Sequence, residues 1–325
     1  MSVSVVSSTK PGGAGVLRVR RTLRAVLPAL SLILILLAIW HLNARAISYF
    51  GLNLMLNLAV PVALATVGQM FVMASNDLDL SIGTFVGFIG CITATVLHDS
   101  PVLGIAIFAG CIVVYALLGA LIYLRNLPSI VVTLGMFFVW QGLAILVLPK
   151  PGGHAPDWLK ALMSLKTPYV PFPVMAAVVI GVVAYVGLMR TSYGAVLRGA
   201  GGNAVAVERA GWSMLKVKMI LFGLAGFCGV LAGMALIGLT TSADANLGNG
   251  YTLLSIAGAI LGGGEFTGGR VSPIGSVIGA LTLTLAGSLL NFMHISPDWQ
   301  VAAQGGILIV VLAARVLINR AGSAA

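Results

Sequence analysis

The stretch VPVALATVGQMFVMASNDLDLSIGTFVGFIGCITATVL, Val60 to Leu97, sets two aspartates, Asp77 and Asp79, between two runs apolar enough to enter a lipid bilayer. A carboxylate at bilayer depth costs about 2.5 to 3.5 kcal/mol on insertion scales. Either the flanking runs are not spans, or the aspartates stand where one span hands over to the next. Composition decides. The chain has 325 residues, of which 59% are hydrophobic and 8% charged, against about 25% charged in an average soluble protein. A soluble domain this apolar could not cover its own surface. The apolar runs have helical length, so the chain reads as an all-α integral membrane protein.

Apolar runs of spanning length fall near 25–43, 53–75, 80–97, 101–124 and 129–149, and again near 168–189, 218–240, 251–264, 272–292 and 300–318. About ten spans are therefore expected in a transmembrane domain over 25–318, between short tails at 1–24 and 319–325. The run YTLLSIAGAILGGG at 251–264 is short and ends in glycines, which predicts a broken or re-entrant helix. The eighteen lysines and arginines test the parity. With the N-terminus inside, fourteen fall in inner segments, among them Arg18, Arg20, Arg21, Arg24, Arg125, Arg190, Arg198, Arg209, Lys216, Lys218 and Arg270. Arg45, Lys150, Lys160 and Lys166 fall outside. This asymmetry predicts cytoplasmic N- and C-termini, and it accounts for the net charge of +10 without a nucleic-acid partner. The basic head and the sequence ARA at Ala44–Ala46 resemble a signal peptide, but the apolar run is long and Arg45 sits at the junction, so an uncleaved first span is expected. Cys91, Cys111 and Cys228 lie in apolar runs at no metal-ligand spacing.

Forty-one glycines exceed what loops need. Gly83 with Gly87, Gly229 with Gly233 and Gly275 with Gly279 stand at the small-xxx-small spacing that lets helices approach closely in lipid. The run LGGGEFTGGR, Leu261–Arg270, is different: Gly262, Gly263, Gly268 and Gly269 read as structural glycines of a turn at a broken helix. It is no phosphate cradle, since no Gly-Lys dipeptide occurs in the chain. The longest inner loop, 190–217, holds NAVAVERAG, a short helix-forming stretch bracketed by Gly201–Gly202 and Gly211. One reading is a basic loop on anionic lipid; the other is a surface helix shaped to plug into a partner.

The segments NDLDLSIGTFVG, LPSIVVTLGMFFVWQGLAILV, GAGGNAVAVERAGW and LGNGYTLLSIAGAILGGGEFTGGRVSPIGSVIGALTL, in this order, resemble the permease subunits of carbohydrate-class, ribose-type ABC importers. The resemblance runs from about residue 50 to 318. It implies a non-catalytic subunit of the bacterial cytoplasmic membrane that works as a pair with a second copy or close homologue. A periplasmic sugar-binding protein would dock outside. A separate cytoplasmic ATPase would bind ATP and Mg, leaving this chain without a cofactor of its own. Asp79, Leu80, Ser81 and Gly83 match the family's GGIDLSVG pattern, while Asn76 and Asp77 replace its two glycines. Gly202, Asn203, Ala206 and Gly211 match the ATPase-coupling loop, to which Ala204 and Glu208 also belong. Val205 takes the place of the usual acidic residue there, and Glu208 lies three positions on.

By parity the aspartates sit at the cytoplasmic end, where they can be hydrated. Asp79 and Ser81 are expected as acceptors for the free amides that open the third span, or as part of the gate with Gly83. Asn53, Asn57, Gln69, Thr133 and Gln141 are candidates for the path of a neutral polar solute, although ordinary interhelical hydrogen bonds would account for them equally. The competing class is an ion- or proton-coupled secondary transporter, which would bury a carboxylate or histidine in mid-span; every such residue here falls in a loop or at a span end. An intramembrane enzyme is disfavoured by the absence of H-E-x-x-H, and a serine enzyme with a G-x-S-x-G elbow would need a histidine partner, whereas His41, His98, His154 and His294 are scattered at interfaces with no candidate nucleophile within helical reach.

Overall fold

The structure is a computed structural model that describes residues 13–266 and 268–295, with isolated positions at 299, 302, 305, 306 and 309. The span expected near 300–318 and the tail 319–325 lie outside the described residues. All regular elements described are helical. Helix α1 (Gly13–Leu42) is followed by α2 (Tyr49–Met55), α3 (Ala59–Met73), α4 (Ile82–Ala94) and α5 (Val96–Asp99). Then come α6 (Pro101–Leu124), α7 (Ser129–Val147), α8 (Asp157–Met163), α9 (Phe172–Tyr185), α10 (Ser192–Gly202) and α11 (Ala204–Arg209). The last are α12 (Met214–Thr240), α13 (Tyr251–Leu261) and α14 (Pro273–Phe292).

Six helical segments are long and apolar enough to cross a membrane, or seven when the bent pair α2–α3 is taken as one span. Two shorter apolar helices, Val26–Leu42 and Tyr251–Leu261, complete the set among the described residues. Two expectations change. The second span is not one rod: α2 and α3 meet at an angle of 48°. Pro61 explains the break, since its ring excludes the carbonyl four residues earlier, at Asn57, from helical bonding. The N-terminal segment is helical from Gly13, so that within the tail expected at 1–24 Arg18, Arg20, Arg21 and Arg24 stand on α1. An established apolar helix extends outward cheaply, one hydrogen bond per added residue.

The short run after residue 250 behaves as its length requires. The eleven residues of α13 rise about 16 Å, half of a hydrocarbon core, and the helix ends at the glycines. Helices α3 and α4 form the centre: all of α4, and all of α3 but Leu64, is buried. Around them α6, α7 and α9 bury one side and expose Leu, Val and Phe on the other. The small-xxx-small faces are contact faces. A Cβ on Gly229 or Gly233 would meet Phe85 or Ile89 of α4 at 2.7 or 2.6 Å. On Gly275 or Gly279 it would run into the carbonyls of Gly262 or Gly258 of α13, and on Gly83 it would lie 2.6 Å from the Gly248 carbonyl. Helix α4 connects two ends of the bundle. Beyond Ala94, Gly152 pairs with Ala243 and His154 N–H donates to Ala94 O, so the segments carrying Lys150 and Lys160 gather there. Arg198, Lys216 and Lys218 gather at the Asp77 end.

Replacing Gly275 by Val should destabilise the protein by about 3 kcal/mol or more, because the obstructing atoms are backbone and cannot rotate away. Gly135→Ala should stay within about 0.5 kcal/mol of wild type, since nothing lies within 4 Å of its added carbon. Unfolding followed in detergent micelles measures both.

Candidate functional site

The segment from Leu78 to Ser81, which leads into α4, is irregular backbone enclosed by helices, and its polar groups are satisfied largely by side chains from far along the chain. Leu78 N–H donates to Ser129 Oγ at 3.2 Å and Leu80 N–H to Thr133 Oγ1 at 3.1 Å, both on α7. Gln69 of α3 pairs with both main-chain groups of Asp79: its amide nitrogen donates to Asp79 O at 3.0 Å and its oxygen accepts from Asp79 N–H at 3.2 Å. Thr252 Oγ1 of α13 donates to Leu80 O at 3.2 Å and accepts from Gly83 N–H at 3.0 Å. Unpaired backbone groups are not tolerated out of water, and each of these helices supplies the pairing that the turn lacks.

The Asp79 carboxylate lies inside this arrangement with no exposure at all. Its Oδ1 accepts from Ser81 N–H and Ser81 Oγ, each at 2.7 Å, and its Oδ2 from Tyr115 Oη at 3.0 Å. Ile82 N–H adds a further bond. Asp79 thus holds Ser81, the residue that precedes α4, and Ser81 makes no side-chain cap of that helix and serves Asp79 instead. Burial pushes the Asp79 carboxyl up, and the hydrogen bonds from Ser81, Tyr115 and Ile82 work against that shift. Asp77 is also buried: Oδ2 meets Lys218 Nζ at 2.8 Å and accepts from Ser75 Oγ at 2.8 Å. The expectation that both aspartates are hydrated is thus corrected. They avoid the insertion cost by pairing, not by contact with water.

Beside Asp77 the three segments singled out in the sequence converge. Asn76 has φ of 61°, which its short polar side chain tolerates. Its Nδ2 donates to Gly201 O at 2.7 Å, and its Oδ1 accepts from Gly269 N–H at 3.3 Å. Gly201 and Gly269 are in contact: a Cβ on Gly201 would meet Gly269 Cα at 2.7 Å. In the glycine turn Gly263, Gly268 and Gly269 take positive φ, while Gly262 packs on Gly275. Glu265 pairs with Arg270 at 3.4 Å.

From Gly201 the chain leaves the bundle as α11. Asn203 caps it, accepting from Ala206 N–H at 3.0 Å. At the other end Gly211 (φ 86°) donates to Glu208 O and Trp212 N–H to Val207 O, a Schellman closure. Val205 and Trp212 are exposed, Tyr193 stacks edge-on against Trp212, and Glu208 accepts from Tyr123 Oη at 3.0 Å. The helix so defined presents Ala204, Val205 and Glu208 outside the bundle.

The candidate path residues separate into two groups. Gln69 and Thr133 hold the turn just described. Gln141 Nε2 donates to Asn246 Oδ1 at 3.0 Å, at the far end of the bundle. Asn53 on α2 and Asn57 in the break between α2 and α3 are half-buried and make no side-chain hydrogen bond among the described residues. The sequence reading missed Tyr115, Thr252, Ser129 and Lys218, each far from residues 76–83 along the chain. It also missed Trp140, which packs on Phe85, Phe88 and Tyr115 beneath Asp79. A cavity of about 530 Å³ between α3, α9, α10 and α12 is lined by apolar residues such as Leu64, Val67, Val183, Leu197 and Leu224. It offers nothing to a polar solute.

A family model described as "Branched-chain amino acid transport system / permease component" matches residues 51–312. The protein named "Probable ABC transporter permease protein YphD" of Escherichia coli (strain K12) is 30% identical over 309 residues, covering 91% of each chain. The ribose import permease protein RbsC of the same strain is 26% identical, covering 87% of this chain and 91% of its own. The L-arabinose transport system permease protein AraH is 28% identical, covering 83% and 82%. No solved structure matches the chain.

Asp79→Ala should destabilise by about 2 kcal/mol or more, since it takes the acceptor from Ser81 N–H and leaves Ser81 Oγ and Tyr115 Oη, 3.2 Å apart, only each other in a closed site. Asp79→Asn, which keeps an acceptor, should cost less. A raised native carboxyl gives stability that is full below its unfolded value of 3.8 and is lost as pH rises through the native value. Unfolding curves of wild type should therefore weaken with rising pH in that window, and Asp79→Asn should remove that slope.

Proposed function

Because the chain belongs to the branched-chain amino acid transport system / permease component family, we propose that it forms the membrane path of an ABC importer for a sugar or sugar-like neutral solute. The observation that carries the mechanism is α11: a short helix closed at both ends, outside the bundle, rooted through Gly201 in the buried turn at Asp79. Such a helix can seat in a groove of an ATPase and move as a unit. Gly202, Asn203, Ala204, Ala206, Glu208 and Gly211 make up this coupling element, which would lie in the cytoplasm. A periplasmic binding protein delivers solute at the opposite end. A second permease copy or close homologue completes the path, with Asn53 and Asn57 as the free polar groups among the earlier candidates. The ATPase binds and hydrolyses ATP, so this chain is not itself an enzyme.

The family description names branched-chain amino acids, whereas two of the relatives carry ribose and L-arabinose in their names. The interior favours the sugar class. An amino acid brings a carboxylate and an ammonium that need counter-charges out of water, and the described spans hold no charged side chain away from their ends. Hydroxyls need only neutral partners.

One observation speaks for proton coupling: Asp79 is a wholly buried carboxylate. Its oxygens are, however, directed to Ser81, Tyr115 and Ile82, which fits a structural anchor. Reconstitution separates the two. In proteoliposomes with the cognate ATPase and loaded binding protein, uptake should require ATP and survive a proton uncoupler. Uptake without any ATPase that collapses with the uncoupler would sink the importer reading.

Two further outcomes are expected. Gly211→Val forces a β-branched residue to positive φ, costing about 2 kcal/mol in the helix closure; uptake should fall sharply while membrane insertion and binding-protein docking persist. Cysteine labelling should reach 190–217 from the cytoplasm and 150–167 from the periplasm. The reverse pattern would invert the orientation.

A further inference from the structure

The coupling loop is fastened to the bundle at both of its roots, and both fastenings are made by consecutive residues of one turn. The C-terminal end of α10 is held by Asn76 Nδ2 on Gly201 O at 2.7 Å. The start of α12, where the loop re-enters, is held by Asp77 on Lys218 Nζ at 2.8 Å. Asn76 also holds Gly269 N–H, so the glycine turn between α13 and α14 is tied to the same residue. Two residues further on is Asp79, whose main chain is pinned by Gln69 and whose carboxylate is pinned by Ser81 and Tyr115. The importer pattern that this chain resembles has glycines at 76 and 77, which could make neither bond.

We propose that Asn76 and Asp77 form a clasp that transmits movement of α10–α11 into the buried junction at Asp79, and that they are positioning residues for coupling ATP hydrolysis to solute passage. The clasp is built for this. The ion pair is largely shielded, with side-chain exposures of 17% for Lys218 and 9% for Asp77, so its geometry is stiffer than that of a surface pair. Asn76 is a short side chain at positive φ, with one donor and one acceptor spent on two different elements. When α10 shifts, Gly201 O carries Asn76 with it; when α12 shifts, Lys218 carries Asp77. Either displacement reaches Leu78 and Asp79 through main-chain bonds. There Ser129, Thr133 and Thr252 distribute it to α7 and α13.

The inference rests on the importer reading, and the test separates the two. Wild type, Asp77→Asn, Lys218→Met, the double Asp77→Asn/Lys218→Met and Asn76→Gly are reconstituted with the ATPase and binding protein. Solute imported per ATP hydrolysed is measured for each. Each single variant should lower that ratio by about fivefold, the scale of one net hydrogen bond lost from one of two states. ATPase stimulation by the loaded binding protein should remain. The double variant should be no worse than the poorer single, because both remove one interaction, and the exchanged pair Asp77→Lys/Lys218→Asp should recover part of the ratio. Unchanged ratios in variants that insert and bind the ATPase would overturn the clasp and leave the importer intact. The same holds if the losses simply add in the double. Should a single variant fail to insert, recovery of folded protein and of the ratio in the exchanged pair decides the matter, and no recovery of the ratio counts against the clasp. Uptake by wild type that needs no ATPase would remove the importer reading itself.

Discussion

The backbone from Leu78 to Ser81 leaves helical geometry among buried helices, and the rest of the bundle is arranged to satisfy it. Helix α3 spends Gln69 on both main-chain groups of Asp79, α7 spends Ser129 and Thr133, and α13 spends Thr252. An unsatisfied amide or carbonyl in this position costs a few kcal/mol, so these helices are tied to the turn more tightly than apolar packing alone would tie them. The turn is also where α4 begins, and α4 is buried along its whole length. A change in the turn therefore cannot stay local. The close glycine contacts of α13 with α14, and of α12 with α4, leave little slack for the helices to adjust separately.

Much of this was legible in the sequence, and what was legible is local or statistical. Apolar run length marks spans, and basic residues mark ends. The small-xxx-small spacing marks faces of close approach. The bracket of Asn203 and Gly211 marks a helix whose caps lie within its own few residues. The break at Asn57 was available too, since Pro61 three residues into α3 is a sufficient cause, but the apolar run continues through it and hides the bend. The burial of Asp77 and Asp79 was not available. Their partners stand 36 residues away for Tyr115 and across the loop for Lys218, and an aspartate at a span end has the same sequence signature whether it meets water or lysine. The polar residues within spans carry the same ambiguity. A threonine or glutamine in an apolar run reads alike whether it lines a path or holds a turn, and Gln69 and Thr133 hold a turn.

The two ends of the bundle are chemically unlike. At the far end the contacts between segments are neutral, Gln141 with Asn246, Gly152 with Ala243 and His154 with Ala94, while the ion pair of Lys160 with Asp157 at 3.1 Å lies within one short helix and leaves Asp157 exposed. At the other, ion pairs of Asp77 with Lys218 and Glu265 with Arg270 join the neutral bonds of Asn76, and α11 is seated by buried Val207 and by Glu208 on Tyr123 while its other residues are exposed. A charged contact is directional and expensive to break once shielded. The shielded Asp77–Lys218 pair is therefore the stiffer fastening, while the neutral contacts at the opposite end can be exchanged at little net cost.

That contrast bears on how selectivity and energy are divided among the partners. A path without fixed charge along its described spans can offer a sugar only neutral hydrogen bonds, each worth about 1 kcal/mol against water. Such a path binds weakly and discriminates little between isomers that place the same hydroxyls differently. Weak binding is an advantage at the release step, because a solute held tightly in the membrane would not leave. Discrimination must then come before entry, in a partner that encloses the solute, and direction must come from hydrolysis, in a partner that moves this chain. The sequence of this subunit is accordingly rich in what a conduit needs, close helix contacts and a rigid link between its ends. Its two buried aspartates are paired inside the bundle, and the helices from α6 to α14 that are long and apolar enough to cross a membrane carry charge only at their ends.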